Sequence, residues 1–373
     1  MKASLSILWL SASLASAWTM RDGRTFEAEL AAADGLRATF SRPGKTPVVM
    51  PLASLSASDA ETIHVWRRNH RRPLVIPARL APWPANASAP AGDVRLLAEV
   101  NGAYVCESAN FRITSDLKLP LNVLNDIAKV FEATRATLIA IPLGLHAGGE
   151  RERYQVAMFR DENGYTRAGG NEGSGGHYDG RTKRMLVLLP NLGIDDTSGT
   201  LRLDHTRNLF ILKHEVTHQL MDRWHGPIPA WLDEGIAEFI ASLPYSKGHY
   251  TISPPGAGMR DYLTKWNASK NDRSLRIIAP DRLMAMDRKD WNAAVKELSA
   301  YDLYNSSAIL TYHFIQQNNG APIAGFLDSL RRGEKPSEAE LKHLLPGKSR
   351  ETLNAEVISR AKSLGLEPEI LQP

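Results

Sequence analysis

The hydrophobic pattern changes its period along the chain. From Arg24 to Ala32 and from Leu36 to Ser41 apolar and polar residues roughly alternate, with Asp34-Gly35 as a turn between the two runs. Pro43-Gly44-Lys45 makes a second turn before a third run, Pro47 to Leu52. Alternation cut by tight turns predicts short strands that pair as hairpins. A short helix from about Ser58 to Trp66 follows, with Ser58-Asp59-Ala60-Glu61 reading as a capping box. The stretch 67–95 carries Pro73, Pro77, Pro82, Pro84 and Pro90, a density that resists both helix and central strand, so it predicts a linker or an extended surface arm.

Beyond residue 96 the pattern grows longer in period. Tyr104 to Glu107 and Phe111 to Thr114 are strand-like, and Leu121 to Ile139 places Leu124, Ile127, Phe131 and Leu138 on one helical face. Tyr154 to Phe159 and Arg184 to Leu189 read as strands, and the glycine-rich run from Gly169 to Gly180 between them reads as a mobile loop. That run lacks G-x-x-x-x-G-K-S/T and feeds a strand rather than a helix, so it does not read as a phosphate loop. Helices are expected at Tyr301 to Gln317, Pro322 to Arg332 and Arg350 to Leu364. Strands first and helices after predict an α+β domain.

The 373 residues allow one large domain or a large and a small one, and 43% apolar with 23% charged residues is ordinary for a globular chain. A net charge of +4 with scattered Lys and Arg, denser only at Arg67 to Arg72 and Arg331-Arg332, gives no stripe for nucleic acid. Residues 1–17 have the form of a cleavable signal: Lys2, the apolar run Leu5 to Leu14, and Ala15-Ser16-Ala17 as a small-residue cut site, with the mature chain beginning at Trp18. No later stretch is long enough for a membrane span, so a secreted or periplasmic product is expected. Cys106 is the only cysteine, so no internal disulfide is available.

The chemistry is concentrated between Leu209 and Leu243. His214-Glu215-Val216-Thr217-His218 is an H-E-x-x-H sequence, and neither Pro nor Gly interrupts the chain from Thr206 to Trp224. On a helix the two histidines share a face, with Cβ atoms about 5–6 Å apart, close enough for both imidazoles to reach one zinc ion. Asp204 or Thr206 would cap that helix. Glu215 would serve as general base toward a water held there, then hand the proton to the leaving amine. Gly226, Pro227 and Pro229 turn the chain, and a second helix opening near Trp231 brings Glu234 back as third ligand. Glu238, four residues further on the same face, would accept the free N–H of a ligand histidine. His177 and Tyr178 would line the cleft beside a strand edge able to hold an extended substrate. His225, His249 and His313 are expected to be structural.

These residues are similar to those of the gluzincins, zinc peptidases whose third ligand is a glutamate on a second helix. The likeness lies in His214, Glu215, His218, Pro229, Trp231, Leu232, Glu234, Gly235, Ala237 and Glu238. Asn110-Phe111, Ser115-Asp116 and Gly176-His177-Tyr178 add a resemblance to DUF1570-like bacterial proteins within that group. Trp18, Asp22-Gly23-Arg24, Ala28, Gly44-Lys45, Pro51-Leu52, Leu55-Ser56 and Asp59 resemble the SLA1 homology domain 1, a small SH3-like barrel. The resemblance implies a zincin-like α+β fold (a mixed sheet plus active-site helices) over residues 96–373, behind a barrel at 18–66. It further implies one Zn²⁺ and peptide hydrolysis, with an endopeptidase-like enzyme expected; the absence of the G-x-M-E-N segment that anchors a substrate amine removes the positive argument for an aminopeptidase without establishing an endopeptidase. A tyrosine from a later helix would stabilise the oxyanion; Tyr304 is the candidate, Tyr301 the next. The partners expected are a peptide or protein substrate and a peptide or protein ligand of the barrel. The alternative is a non-catalytic envelope scaffold in which the zincin domain is inactive.

Overall fold

The computed structural model describes residues 16–33, 37–69, 82–100, 102–146, 153–194, 201–203, 209–224, 227–265, 267, 269 and 272–371. The chain divides into two compact units, one of residues 1–76 with 328–339, the other of 77–327 with 340–373. The segment expected as a signal, up to residue 15, lies outside the described residues, as do Asp204, Thr206, His225 and Gly226. Among the described residues no helix is long and apolar enough to cross a membrane.

The N-terminal unit holds four strands, β1 (Ser16–Thr19), β2 (Thr25–Ala33), β3 (Arg37–Arg42) and β4 (Lys45–Pro51), in an antiparallel sheet of order β1-β2-β3-β4. The helix α1 (Ala57–Asn69) follows. Its start is held by Ser56, whose hydroxyl accepts from the Asp59 N–H at 3.1 Å, two residues before the box read from the sequence; the Asp59 carboxylate is turned back onto the Thr19 N–H at 2.6 Å. Trp18, Ala28, Phe40, Leu52, Leu55 and Ile63 are buried together as a small core. The expected closure into a barrel is not found. No described pairing joins β4 to β1, and β4 carries Pro47 and Pro51, which cannot donate to a neighbouring strand. The start of the sheet is linked to the segment after it by an isolated bridge, Met20 with Leu55, and by hydrogen bonds from the Arg21 N–H to the Ser54 carbonyl and from the Ser56 N–H to the Thr19 carbonyl.

The second unit opens with β5 (Asn86–Ser88), inside the stretch expected to be a linker. It continues with β6 (Arg95–Val100), β7 (Ala103–Glu107), β8 (Phe111–Ser115), α2 (Leu121–Ala140), β9 (Tyr154–Phe159), α3 (Glu162–Arg167), β10 (Gly176–Asp179) and β11 (Arg184–Leu188). Six of these strands form a mixed sheet of order β10-β11-β9-β8-β7-β6. β8, β9 and β11 run parallel, which the crossover through α2 requires, while β10 turns back antiparallel on β11 as the terminal strand. The glycine-rich run is therefore partly strand: Gly176 to Asp179 pairs with Val187 to Arg184. Glycine's low strand propensity concealed it.

Beyond the sheet come α4 (Leu209–Leu220) and α5 (Ala230–Ser242), then β12 (Tyr245–Ser246) and β13 (His249–Thr251), the latter pairing with β5. This pairing fixes part of the proline-rich stretch, because Ala87 lies opposite the buried Tyr250. The chain continues with α6 (Met259–Leu263), β14 (Ser274–Ile278), α7 (Pro280–Ala285), α8 (Arg288–Glu297), α9 (Ala300–Gln316), α10 (Ala321–Arg331), α11 (Pro336–His343), α12 (Arg350–Ser363) and β15 (Glu367–Leu371), the last strand parallel to β14; the end of α10 and the start of α11 are counted with the first unit. The result is an α+β fold in which strands recur after the helices begin.

The core of this unit sits around α5, whose residues are buried on nearly every side. A helix buried all round must be apolar all round. Trp231, Leu232, Ile236, Phe239 and Ile240 meet that need, each worth about 1.5–3 kcal/mol on burial. Two carboxylates in the same buried helix, Asp233 and Glu238, break the pattern and must find partners.

Candidate metal centre

α4 and α5 run side by side and aim three ligand atoms at one point. His214 Nε2 and His218 Nε2 are 3.0 Å apart, and Glu234 Oε2 lies 3.3 Å from each. A tetrahedral zinc with bonds of about 2.0–2.1 Å holds its ligands about 3.3–3.4 Å apart, so the triangle has the size the ion needs. Among the described residues His214, His218 and Glu234 form the group able to hold a metal ion. The three sequence-derived ligands are thus brought together on two helices, as in a zincin active site.

The charge balance points the same way. Burial opposes ionisation of the two histidines, yet Glu234 and Glu238 hold His214 above its usual range, and Glu234 with Asp233 does the same for His218. Burial likewise opposes the Glu234 carboxylate, which the two imidazoles nonetheless keep below the usual carboxylate range. A buried cluster this rich in carboxylate needs cationic charge, and a divalent ion supplies it while leaving both imidazoles neutral.

Each ligand histidine is oriented from behind. His214 Nδ1 is 2.9 Å from Glu238 Oε1, as expected from the spacing on α5, and the other Glu238 oxygen accepts from the Tyr262 hydroxyl. His218 Nδ1 is 3.3 Å from Asp233 Oδ1, and Asp233 Oδ2 meets Arg288 Nη2 at 3.3 Å. Asp233, Tyr262 and Arg288 were missed from the sequence. Of these only Asp233 left a signal there, a third carboxylate beside Glu234 and Glu238 in a helix whose other residues are mostly apolar.

Two glycines are needed for close approach. A Cβ on Gly176 of β10 would lie 2.7 Å from Glu215 Cγ, so the terminal strand passes directly over the glutamate. A Cβ on Gly235 would fall onto Thr311 Oγ1 and 2.5 Å from the Ser307 carbonyl oxygen, so the residue after Glu234 lets α5 press on α9. β10 is held in place at its far end, where the Tyr178 hydroxyl donates to Asp222 Oδ1 at 2.8 Å and Lys183 Nζ lies 2.5 Å from the same oxygen.

A cleft of about 610 Å³ opens over the triad. Glu215, Tyr304, Tyr301 and His177 all line it, together with Gly176 of β10 and Gly175 just before it. The Tyr304 ring centroid is 6.0 Å from that of His214, whereas Tyr301 is 51% exposed. Burial, with Glu234, Glu215 and Glu238 nearby, drives the Tyr304 hydroxyl far above its ordinary pKa, so it remains a proton donor. His249 and His313 stand away from the centre; His249 pairs with Ser88 and His313 with Glu356.

Neither a protein-family model nor a curated protein matches this chain. What the fold and site define is a mixed α+β protein with a His₂Glu metal-binding triad on two helices, an arrangement that supports a metal-dependent function.

Proposed function

We propose that the chain is an exported zinc-dependent peptidase of gluzincin type, with His214, His218 and Glu234 as ligands and Glu215 as general base. The observation that carries this reading is the placement of Glu215 in the cleft beside three converged ligand atoms and under the terminal strand of a sheet. Zinc, when bound, supplies Lewis-acid polarisation of the carbonyl under attack and lowers the pKa of water.

The protein's own groups do the rest. Glu215 takes a proton from water and returns it to the departing nitrogen. The Tyr304 hydroxyl donates a hydrogen bond to the oxygen that gains charge. β10 presents backbone groups along the cleft for an extended peptide, and Gly176 keeps the space above Glu215 free of a side chain. Glu238 and Asp233 fix the histidine rings and their tautomers. The resemblance to DUF1570-like proteins and to the SLA1 homology domain 1 supports a bacterial exported chain divided at residues 18–66, 67–95 and 96–373, its first segment an SH3-like module with a protein or peptide ligand.

The test measures zinc content and cleavage of a denatured protein, with Glu215→Gln beside the unsubstituted chain. The expected result is one zinc per chain in both and cleavage only with Glu215 present. Zinc without cleavage of any peptide in a broad library favours the non-catalytic scaffold; failure to bind zinc at neutral pH removes the centre itself.

A further inference from the structure

The register of the six-stranded sheet lines up arginines that lie far apart along the chain. Residues directly opposite each other in neighbouring strands project from the same face of a sheet. Asp179 lies opposite Arg184, Arg184 opposite Gln155, Gln155 opposite Arg112, Arg112 opposite Glu107 and Glu107 opposite Arg95. These six side chains therefore form one row that crosses every strand. In the order β10-β11-β9-β8-β7-β6 the arginines take the second, fourth and sixth places. Gly176 and Tyr178 point to the other face of β10 from Asp179, toward Glu215 and Asp222. The row thus lies on the face opposite α4 and the metal centre, and Arg95, Arg112, Gln155 and Arg184 are exposed there.

Positive charge is in excess along this row. Arg112 donates to Glu107 Oε1 from Nε at 2.8 Å and from Nη2 at 2.6 Å, while Arg95 and Arg153 approach Glu107 Oε2 at 3.6 and 3.5 Å. One carboxylate shared among three guanidiniums leaves two charges uncancelled and N–H donors to spare. Asp179 is engaged by its own turn, through the Thr182 hydroxyl and the Arg181 N–H. Arg184 forms no ion pair with a described residue.

Spacing narrows the kind of anion that fits. Strands stand about 4.8 Å apart, so the arginines recur every ~9.6 Å along a line about 19 Å long. A polyproline II chain completes its three-residue turn in about 9.3 Å, which returns every third side chain to one side at nearly the same repeat. Unfolded and proline-rich segments adopt that conformation readily. A nucleic-acid strand carries a phosphate every ~3.4 Å, which would set phosphates against Glu107 between two of the arginines. The row also contains no aromatic ring on which a base could stack.

We propose that this row is a docking surface for an extended acidic segment of another protein, with Asp or Glu at every third residue. Arg184, Arg112 and Arg95 each receive one carboxylate. The surface is separate from the metal chemistry and does not depend on the peptidase reading.

The experiment uses the full chain carrying Glu215→Gln, so that no peptide is cleaved, at about 20 mM salt, where exposed charges are weakly screened. The peptides are blocked at both ends and carry a neutral fluorophore. Fluorescence anisotropy compares four Glu-Pro-Ala repeats with four Gln-Pro-Ala repeats, and with an isomer of the first whose glutamates are adjacent. An exposed ion pair is worth up to about fivefold in affinity, so three in register should favour the glutamate repeat over the glutamine repeat by about tenfold or more. The isomer should bind at least threefold more weakly than the repeat. Arg184→Gln and Arg95→Gln should each weaken the repeat about two- to fivefold. Arg282→Gln, which removes an exposed arginine of α7 outside the row, should leave binding unchanged. Equal binding of the glutamate and glutamine repeats overturns the proposal. So does an isomer that binds as well as the repeat, or a loss in Arg282→Gln equal to that in Arg184→Gln. Tighter, Arg184-dependent binding of oligodeoxythymidylate or of phosphatidylglycerol vesicles also overturns it, and assigns the row to a nucleic acid or a lipid surface instead.

Discussion

Glu238 Oε1 stands 2.9 Å from Nδ1 of His214, on the opposite side of the ring from Nε2, which faces Glu234 and His218. One carboxylate thereby fixes both the tautomer and the rotation of a ligand. Removing it leaves the ring free to turn and its Nδ1–H buried without a partner. Glu238→Ala is expected to weaken zinc binding by about 10–100-fold, and Glu238→Gln by less, because the amide oxygen still accepts. Competition against a chromophoric chelator measures both; equal zinc affinity in all three proteins would show that Tyr262 and the packing hold His214 without the carboxylate.

Gly235 sets the distance between the helix that supplies Glu234 and the helix that supplies Tyr304. In Gly235→Ala the new methyl would collide with Thr311 and with the Ser307 carbonyl, which belongs to the helix backbone and cannot rotate away. Overpacking of this kind costs about 1–3 kcal/mol or more, which exceeds the gain of up to about 1 kcal/mol from replacing a helical glycine by alanine. Urea unfolding of the metal-free protein should show the loss. An unchanged or raised midpoint would mean that α5 and α9 move apart without cost.

Tyr304 offers its hydroxyl beside the His214 ring, and Tyr304→Phe removes that oxygen while keeping the ring that stands 6.4 Å from Trp291. A lost oxyanion donor lowers kcat by about 10²–10³. The expected signature is a fall of that order with KM and zinc content unaltered, read by steady-state kinetics on a cleaved peptide. If kcat changes less than threefold, the donor is another group of the cleft, with the exposed Tyr301 next to be tested.

The parts of this molecule written in short-range pattern were legible in its sequence. The H-E-x-x-H spacing places His214 and His218 on one helical face, and the Gly/Pro turn with Glu234 and Glu238 four apart forecasts a return helix presenting both carboxylates. The apolar faces of α2, α9 and α12 were visible for the same reason, a sustained 3.6-residue period. What escaped depends on contacts distant in sequence. Tyr262 reaches Glu238 across 24 residues and Arg288 reaches Asp233 across 55. β10 was concealed because its role requires glycine: a residue with better strand propensity at 176 would strike Glu215. β5 lay hidden among prolines, since its order comes from its partner β13 rather than from its own composition. Closure of the N-terminal strands was expected from a motif likeness, yet it depends on which edges pair, and no pairing joins β4 to β1 among the described strands.

His313 carries a prediction about pH that is independent of the metal. It is buried on α9, with Nε2 3.3 Å from Glu356 Oε2 on α12 and 2.5 Å from Gln317 Nε2. Burial lowers its pKa and Glu356 opposes this, while Arg360 and Lys348 reinforce the burial, and the outcome is about 4 against 6.5 for an exposed histidine. Lys348 claims much of the Glu356 charge, its Nζ lying 2.6 and 2.8 Å from the two carboxylate oxygens. Between pH 6.5 and 4 the unfolded chain binds a proton at this position and the folded chain does not. Its contribution is therefore complete above about pH 6.5, declines as the pH falls toward 4, and levels off below. Over that window the loss is on the order of 1–3 kcal/mol. Urea unfolding of metal-free protein at pH 7, 5.5 and 4.5 should show the unsubstituted chain losing stability faster than His313→Leu, since only the former titrates here. Comparing the two under identical conditions cancels the titration of His214, His218 and the carboxylates, which both share. Parallel pH profiles would mean that His313 carries the same charge in the folded and unfolded chain, held by Glu356 despite its burial.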